Sequence, residues 1–304
     1  MRIYKTRKLL ADGVLPNPAP VGDVEGLRQR LSALGLDFAA EGLAEQMTQA
    51  VKENRGPAEF LDALLRTELE RREERRIRLA LKISGLPAGQ TVASFDFAFQ
   101  PAIERSRIET LATGTWLHEG KSLLLQGPPG VGKTHLAVAL GVRAVECGFS
   151  VAFFPLQKLL HEMKKHAELS PTRLKYKKYM SANLVIVDEM GFQPLSREEA
   201  NLFFRLVSHR YEHGSMCITT NKGIKDWPEM LAGDEVLAAA ILDRLLHKSH
   251  VLNVRGRSYR LRELEEQFRL LRSPPAADPS PRSPPSASGP PMIEPAATAP
   301  PPAA

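Results

Sequence analysis

The sequence predicts an α/β protein whose parallel sheet is covered by helices on both faces and is preceded by a small all-helical domain. Three observations support this fold class. After residue 90, short apolar runs alternate with helical stretches, as in strands joined by crossover helices. The runs are apolar throughout, which is typical of strands buried on both faces. Before residue 85, apolar residues recur at helical spacing instead.

Prolines and glycines divide the N-terminal part of the chain. Residues 1–22 contain three spaced prolines and little periodicity, which predicts a flexible tail. Residues 23–84 are predicted to form the helical domain, in which Gly56 and Pro57 end one helix and start the next. The charged run ELERREERRIR in the second helix fits either a solvated face with Glu–Arg pairs or an arm that docks a partner or touches DNA. Residues 85–100 are interpreted as a linker.

The α/β domain is predicted over residues 101–272. Its predicted strands are SLLLQ, SVAFF, LVIVD, SMCITT and HVLNV, which together make a five-stranded parallel sheet. Helices are predicted between them over residues 133–147, 156–166 and 197–211. Residues 273–304 are rich in proline and alanine and are predicted to be a disordered tail.

Composition limits the environment and the partners. The formal net charge of +6 favours an anionic partner such as nucleic acid, although a soluble basic protein without one would have the same balance. The two cysteines, Cys147 and Cys217, lack metal-type spacing and exclude a disulfide framework. No apolar run approaches the ~18 residues of a membrane span. We therefore expect a cytoplasmic protein without a membrane partner.

A phosphate-binding loop follows the first predicted strand. The stretch GPPGVGKTH fits the pattern G-x-x-x-x-G-K-[ST], with a strand before it and a helix after it. Backbone N–H groups and the helix N-terminus would face the phosphates. Lys133 should reach the β- and γ-phosphates, and the Thr134 hydroxyl should ligate Mg²⁺. The predicted nucleotide-binding residues are Gly127, Pro128, Pro129, Gly130, Val131, Gly132, Lys133, Thr134, His135 and Asp188.

Two further strands end in polar residues that complete this predicted site. LVIVD ends in Asp188, a second candidate Mg²⁺ ligand, and the adjacent Glu189 could orient a water, which predicts hydrolysis. SMCITT is followed by Asn221, which could contact the γ-phosphate or the attacking water, or could cap the next turn. The stretch NKGI lacks the carboxylate of the guanine-reading N-K-x-D because Ile224 stands in its place, which favours ATP over GTP.

These segments resemble a known family. LLLQGPPGVGKTHLAVALG, LVIVDEMGFQPLS, ITTNKGIKDW and GDEVLAAAILDRLLHKSHVLNVRGRSYRLRE are similar to the IstB family, the helper ATPases encoded beside the transposase in one class of bacterial insertion sequence. The resemblance covers about residues 25–268. It implies an AAA+ ATPase core close to the DnaC helicase loaders. Only about a dozen helical residues follow Arg260, which fits the reduced lid of the loader-like members.

The resemblance also implies roles for individual residues. Asn221 falls at sensor I, Arg244 at the arginine finger and Arg260 at sensor II, so the implied catalytic set is Glu189, Asn221, Arg244 and Arg260. From the residues alone, a salt bridge is the better expectation for either arginine, although P-loop ATPases often present arginines to a γ-phosphate after the last catalytic strand. Because an arginine finger acts in trans, the resemblance implies a homo-oligomer with ATP sites between subunits. Such proteins assemble on duplex DNA and recruit and stimulate the transposase.

A basic segment follows the second predicted strand. Residues 158–180 carry seven Lys or Arg against two Glu, which fits a phosphate-neutralising loop or a solvated basic helix. The candidate DNA contacts are Lys164, Lys165, Arg173, Lys175, Lys177 and Lys178. We therefore predict an ATP- and Mg²⁺-dependent ATPase that binds duplex DNA and assists a transposase in target selection and activation. A helicase loader is the alternative, and a static nucleotide switch is disfavoured by Glu189.

Overall fold

The computed structural model describes residues 23–262. The predicted tails and residues 263–272, where the reduced lid is expected, lie outside the described residues. Three helices come first, namely α1 (Val24–Ala33), α2 (Asp37–Lys52) and α3 (Pro57–Ser84). They enclose a small core around Leu43 and Leu64. Gly35, in the left-handed region at φ 75°, separates α1 from α2, a break that the helical periodicity did not predict.

The remaining elements alternate between helix and strand. They are α4 (Arg105–Ala112), α5 (Thr115–His118), β1 (Ser122–Gln126), α6 (Lys133–Glu146), β2 (Val151–Pro155), α7 (Leu156–Lys165), α8 (Pro171–Leu174), α9 (Lys178–Ser181), β3 (Leu184–Met190), α10 (Arg197–His213), β4 (Ser215–Thr220), a short 3-10 helix (Ile224–Asp226), α11 (Trp227–Met230), α12 (Glu235–His247) and β5 (Ser249–Asn253). Each predicted strand is present within one residue at its start and two at its end.

The sheet is parallel throughout, with the strand order β2-β3-β4-β1-β5. Side chains alternate between two apolar cores, since Leu123 and Leu125 of β1 face one core and Leu124 faces the other. Helix α6 covers the first core, whereas α7, α10 and α12 cover the second. This arrangement confirms the predicted fold class, a five-stranded parallel sheet flanked by helices with a helical region before it.

Helix α3 extends from the N-terminal helices onto the α/β core. Its first half buries Leu64 in the helical core, and its last turns pack Ile77, Ala80 and Leu81 against the first sheet core. Gly85 ends the helix in the left-handed conformation, at φ 76°. Within residues 23–262, no helix combines the length and the apolar character that crossing a bilayer requires.

A buried arginine stabilises the edge of the sheet that lies opposite the phosphate-binding loop. Arg210 of α10 is 1% exposed, and it donates to the carbonyl oxygens of Met180 (3.1 Å), Asn183 (2.8 Å) and Ser215 (3.0 Å). Burial lowers the pKa of this guanidinium to about 10, so it is still charged at neutral pH. These contacts connect α10 to the residues that precede β3 and β4.

The substitution Arg210→Met tests this role. It keeps an apolar side chain but leaves three carbonyl oxygens without their donor, so we expect the free energy of unfolding to fall by ~2–4 kcal/mol. Equilibrium urea denaturation measures the change. Arg205→Met, at an exposed position of the same helix, is the matched control and should change stability by less than ~0.5 kcal/mol. Equal losses in the two variants would contradict the role of Arg210.

Candidate active site

Two other segments, around Phe95 and Ser258, pack closely against the loop between β1 and α6. Gly130 and Gly132 adopt left-handed conformations, at φ 79° and 96°. A Cβ atom on Gly132 would lie 2.7 Å from the ring of Phe95, and one on Gly130 would lie 2.1 Å from Ser258 Oγ. The backbone of Tyr259 also donates to the Gly130 carbonyl oxygen at 2.9 Å. Glycine is therefore required at both positions by backbone conformation and by space.

Lys133 is the first residue of α6, and its side chain reaches back to this loop. Its ammonium group donates to the carbonyl oxygens of Gly127 (2.8 Å) and Pro128 (2.7 Å). Burial lowers the pKa of Lys133, and the positive charge of Arg260 lowers it further, while Asp188 opposes both effects. Both direct partners are neutral, so an anionic group in the loop would give this cation a stronger partner than the carbonyl oxygens do.

Asp188 lies buried at the carboxyl end of β3, with 5% of its surface exposed. Its Oδ1 accepts from the Thr134 hydroxyl at 2.8 Å and from the Thr219 hydroxyl at 2.5 Å. The structure therefore brings together the two residues that were predicted to share a metal ion. A carboxylate and a hydroxyl at this spacing are oxygen donors of the kind that Mg²⁺ prefers.

A β-bulge turns Glu189 away from the core. The pairing of β3 with β4 shifts register between Val187 and Met190, and Glu189 has a left-handed backbone at φ 64°. Its side chain is exposed while those of Asp188 and Met190 are buried. Left-handed backbone is unusual for a residue with a side chain and is concentrated at functional sites. The bulge thus lets neighbouring carboxylates occupy different environments.

Thr219 is a site residue that sequence reasoning missed. Its hydroxyl donates to Asp188 and accepts the backbone N–H of Glu189 at 3.0 Å. One side chain on β4 therefore orients the buried carboxylate and also stabilises the left-handed residue beside it. In the sequence, Thr219 is a threonine within an apolar strand, two residues before Asn221. Because such a residue is usually part of the core, no sequence signal marked it as a site residue.

Asn221 follows β4 and is brought to the same edge. Its Oδ1 is buried without a hydrogen-bond partner in the described part of the chain, and a Cβ atom on Gly191 would come within 2.7 Å of it. The next turn is instead held by Thr220, whose Oγ1 accepts the N–H of Lys222 at 3.1 Å. The alternative in which Asn221 caps that turn is therefore not supported by these contacts. An unpaired buried carbonyl oxygen is costly unless a ligand or water pairs with it.

The segment before α4 packs onto the start of α6. His135 approaches the carbonyl oxygen of Thr91 (2.9 Å) and the hydroxyl of Ser94 (3.2 Å) through Nε2. Its ring meets that of Phe95 edge to face, with 5.3 Å between the centroids. Tyr259 closes the other side by donating its hydroxyl to the Asp96 carbonyl oxygen at 2.8 Å. The predicted linker is thus part of the wall of the site.

The two predicted arginines lie in different places. Arg260 is exposed but is close enough to lower the pKa of Lys133. Arg244 instead lines a small pocket with Gly120 and Ser122, at the amino end of β1. At ~3.3 Å per residue, β1 separates this edge from the phosphate-binding loop by ~13 Å. The structure therefore does not bring Arg244 to the Asp188 site of its own chain.

Comparisons with known proteins agree with this geometry. Residues 29–267 match the family described as IstB-like ATP binding protein. The chain belongs to this IstB-like family. Relatives include the insertion sequence IS21 putative ATP-binding protein of Pseudomonas aeruginosa, 44% identical over 79% of this chain and 89% of the relative. The insertion sequence IS5376 putative ATP-binding protein of Geobacillus stearothermophilus is 35% identical over 79% of this chain and 95% of the relative.

Among solved structures, the DnaC helicase loader is similar to this IstB-like chain over 55% of its residues and 97% of the loader, with 23% identity and a TM-score of 0.46. A likeness of this size carries no conclusion about activity.

The candidate DNA contacts of the IstB-like chain divide into two groups. Lys164 forms an ion pair with Glu199 at 3.0 Å, and Lys178 donates to the carbonyl oxygen of Ile83 at 2.9 Å. The second group forms no ion pair with a residue in the range 23–262 and consists of Lys165, Arg173, Lys175 and Lys177. Lys177 is half-buried, and the other three are exposed. Buried Tyr179, in contact with His166 Nδ1 at 3.0 Å, anchors this segment to the core.

The substitution Gly132→Ala tests the tight closure of the loop. An added methyl group would meet Phe95 and would occupy a left-handed conformation, so the loop must shift. We expect ATP affinity to fall at least about tenfold, which corresponds to ~1.4 kcal/mol, as measured by nucleotide titration. Gly42→Ala is the control, because nothing lies within 4 Å of its added methyl group. Unchanged ATP affinity in Gly132→Ala would argue against the described loop geometry.

Proposed function

We propose that this IstB-like protein is a Mg²⁺-dependent ATPase that assembles on duplex DNA and assists a transposase in selecting and activating its target. The contact that carries the proposal is the hydrogen bond from the Thr134 hydroxyl to buried Asp188, at 2.8 Å. It joins the phosphate-binding loop to the carboxyl end of β3. The relatives that are named for insertion sequences support the transposition role over the helicase-loader alternative.

The donor set fits Mg²⁺ and a triphosphate. Thr134 and Asp188 would hold the metal, which when bound neutralises charge on the phosphate oxygens. Lys133 would leave the carbonyl oxygens of Gly127 and Pro128 for the phosphates, since an anionic partner forms the stronger hydrogen bond. Ile224, half-buried against the second core, offers no acceptor for guanine, which supports ATP as the nucleotide.

Hydrolysis is assigned to residues beside this pair. The Glu189 carboxylate is exposed next to buried Asp188, so it could accept a proton from an attacking water. The unpaired Oδ1 of Asn221 lies at the same edge and could position that water. Thr219 would orient the Asp188 carboxylate through one hydrogen bond and hold the backbone of Glu189 through the other. In this scheme ATP and water yield ADP and phosphate.

The position of Arg244 supports an oligomer. Its guanidinium lies 4.9 Å from the centre of the Phe204 ring and donates to the Ala240 carbonyl oxygen at 2.9 Å. Because it lies at the opposite edge of the sheet from the Asp188 site of its own chain, a role at a γ-phosphate requires the site of a neighbouring subunit. Arg260, near Lys133, would act within its own subunit.

Hydrolysis with and without DNA tests the proposal. We expect ATP turnover to need Mg²⁺, to rise when duplex DNA is added, and to be accompanied by larger particles in light scattering. Glu189→Gln should lower turnover by ~10²–10⁴-fold while ATP affinity is kept, because only the proton acceptor is lost. Glu198→Gln, at an exposed position of α10, is the control and should match the wild type.

Two results would overturn parts of this proposal. Undiminished steady-state turnover in Glu189→Gln would remove the catalytic assignment. If neither turnover nor particle size changed when duplex DNA was added, the proposed assembly on DNA would be wrong, even if ATP hydrolysis remained.

A mixing experiment tests whether Arg244 acts between subunits. Arg244→Ala should lower turnover by ~10³-fold without weakening ATP binding to the monomer. Mixed with Glu189→Gln subunits it should regain activity, because some sites then combine an intact Glu189 with an intact Arg244. Arg205→Ala, exposed on α10, should keep full activity alone. Mixtures that stay as inactive as either variant would place the function of Arg244 elsewhere.

A further inference from the structure

Helix α3 carries a row of basic side chains along one face. Arg71, Arg75, Arg78 and Lys82 follow one another at intervals of four, three and four residues, which keeps them on the same side of a helix. All four are exposed. At 1.5 Å per residue, the row extends over ~17 Å. It lies in the part of α3 that leaves the N-terminal helices and approaches the α/β core.

The row differs from the other arginines of α3 in its ion pairs. Arg66, Arg72 and Arg76 are paired with acidic residues of the same helix, at 2.8, 2.5 and 2.6 Å. Within residues 23–262, the row has a single ion pair, between Arg71 and Glu74 at 4.0 Å. A solvated face with Glu–Arg pairs therefore describes the rest of the helix, but it does not describe this row.

The row continues into the basic segment that follows α7. The ammonium group of Lys178 donates to the carbonyl oxygen of Ile83, the residue next to Lys82, at 2.9 Å. This contact also places a positive charge at the negative end of the α3 dipole. Lys175 and Lys177 lie three residues and one residue before Lys178, and buried Tyr179 follows it. The segment is therefore held at the end of the row.

We infer that these residues form one continuous track that binds the sugar–phosphate backbone of duplex DNA. The basic track is defined as Arg71, Arg75, Arg78, Lys82, Lys175 and Lys177. The inference rests on the proposed DNA-binding function and extends it to α3. Lys178 is a positioning residue in this scheme, because its ammonium group caps α3 instead of facing a phosphate.

The length and the chemistry of the track fit a duplex. Each strand carries one phosphate per ~3.4 Å of the duplex axis, so a row that extends over ~17 Å lies within reach of several phosphates. Stacking on the bases of a single strand needs exposed aromatic side chains. Among the described residues of this region, Tyr176 is the one exposed aromatic side chain. Contacts of this kind bind tightly at low salt and carry little sequence information.

Because the track runs from α3 to the segment between β2 and β3, a bound duplex would contact the helical region and the α/β core together. DNA would thereby hold α3 in one position relative to the core.

The test compares two triple variants that lose the same charge. Arg75→Gln/Arg78→Gln/Lys82→Gln removes three of the six charges of the track, whereas Arg66→Gln/Arg105→Gln/Arg143→Gln removes three exposed arginines that are paired with acidic neighbours. Affinity for a 30-base-pair duplex is measured by fluorescence anisotropy over a series of salt concentrations. We expect the track variant to lower the salt slope by about 2–3 and the control variant by less than about 1. ATP turnover without DNA should match the wild type in both.

The outcomes separate the track from the proposed function. A wild-type protein that does not bind duplex DNA overturns both. Wild-type binding with equal salt slopes in the two variants overturns the track and leaves the proposed function standing. A track variant that loses affinity for a single strand of the same length, but keeps its affinity for the duplex, overturns the assignment to duplex DNA.

A second measurement uses the wild-type protein, in case the track variant does not fold. Phenylglyoxal modifies accessible arginines, and mass spectrometry then reports the extent of modification at each position. We expect duplex DNA to protect Arg75 and Arg78 at least about threefold relative to Arg66 in the same sample, since a bound phosphate shields the guanidinium. Equal modification with and without DNA would overturn the track.

Discussion

The buried carboxylate of Asp188 is the group on which the candidate site depends. A charge with 5% exposure is costly to bury unless donors surround it. Here Thr134 and Thr219 supply hydroxyl donors from two different elements, at 2.8 and 2.5 Å. The same hydrogen bonds therefore connect the phosphate-binding loop, β3 and β4. Since Thr219 also accepts the N–H of Glu189, a single side chain holds the buried carboxylate and the backbone of the residue beside it.

The tight packing around the loop follows from the order of the strands. Strand β1 lies between β4 and β5, so the loop after β1 emerges between the residues that follow its two neighbours. Thr220 of β4 accepts the N–H of Gly127, and Ser258, beyond β5, closes over Gly130. Phe95 fills the third side. The glycines are what allow three segments to approach one turn so closely.

The carboxyl and amino edges of the parallel sheet carry different functional groups. The carboxyl edge gathers the groups proposed for phosphate and metal, whereas the amino edge is held by buried Arg210 and presents Arg244. The proposed site takes groups from both edges and so cannot be completed within one chain, and this constraint is the physical argument for the proposed assembly. The basic track adds a second reason for assembly on DNA, since a duplex longer than one track can bind several copies side by side.

The sequence by itself determined the fold class and indicated the candidate residues of the phosphate-binding loop. Strands buried on both faces are mostly apolar, and this type of phosphate-binding loop places glycine, lysine and threonine at fixed spacing, so both leave a local signature. Tertiary structure alone decided the rest. Thr219 and Phe95 join the site only because distant segments meet there, and no local pattern marks such residues. Likewise, Arg72 donates to the distant carbonyl oxygen of Gly35, whereas Arg75 is exposed, and the packing of α3 against the helices before it decides this difference.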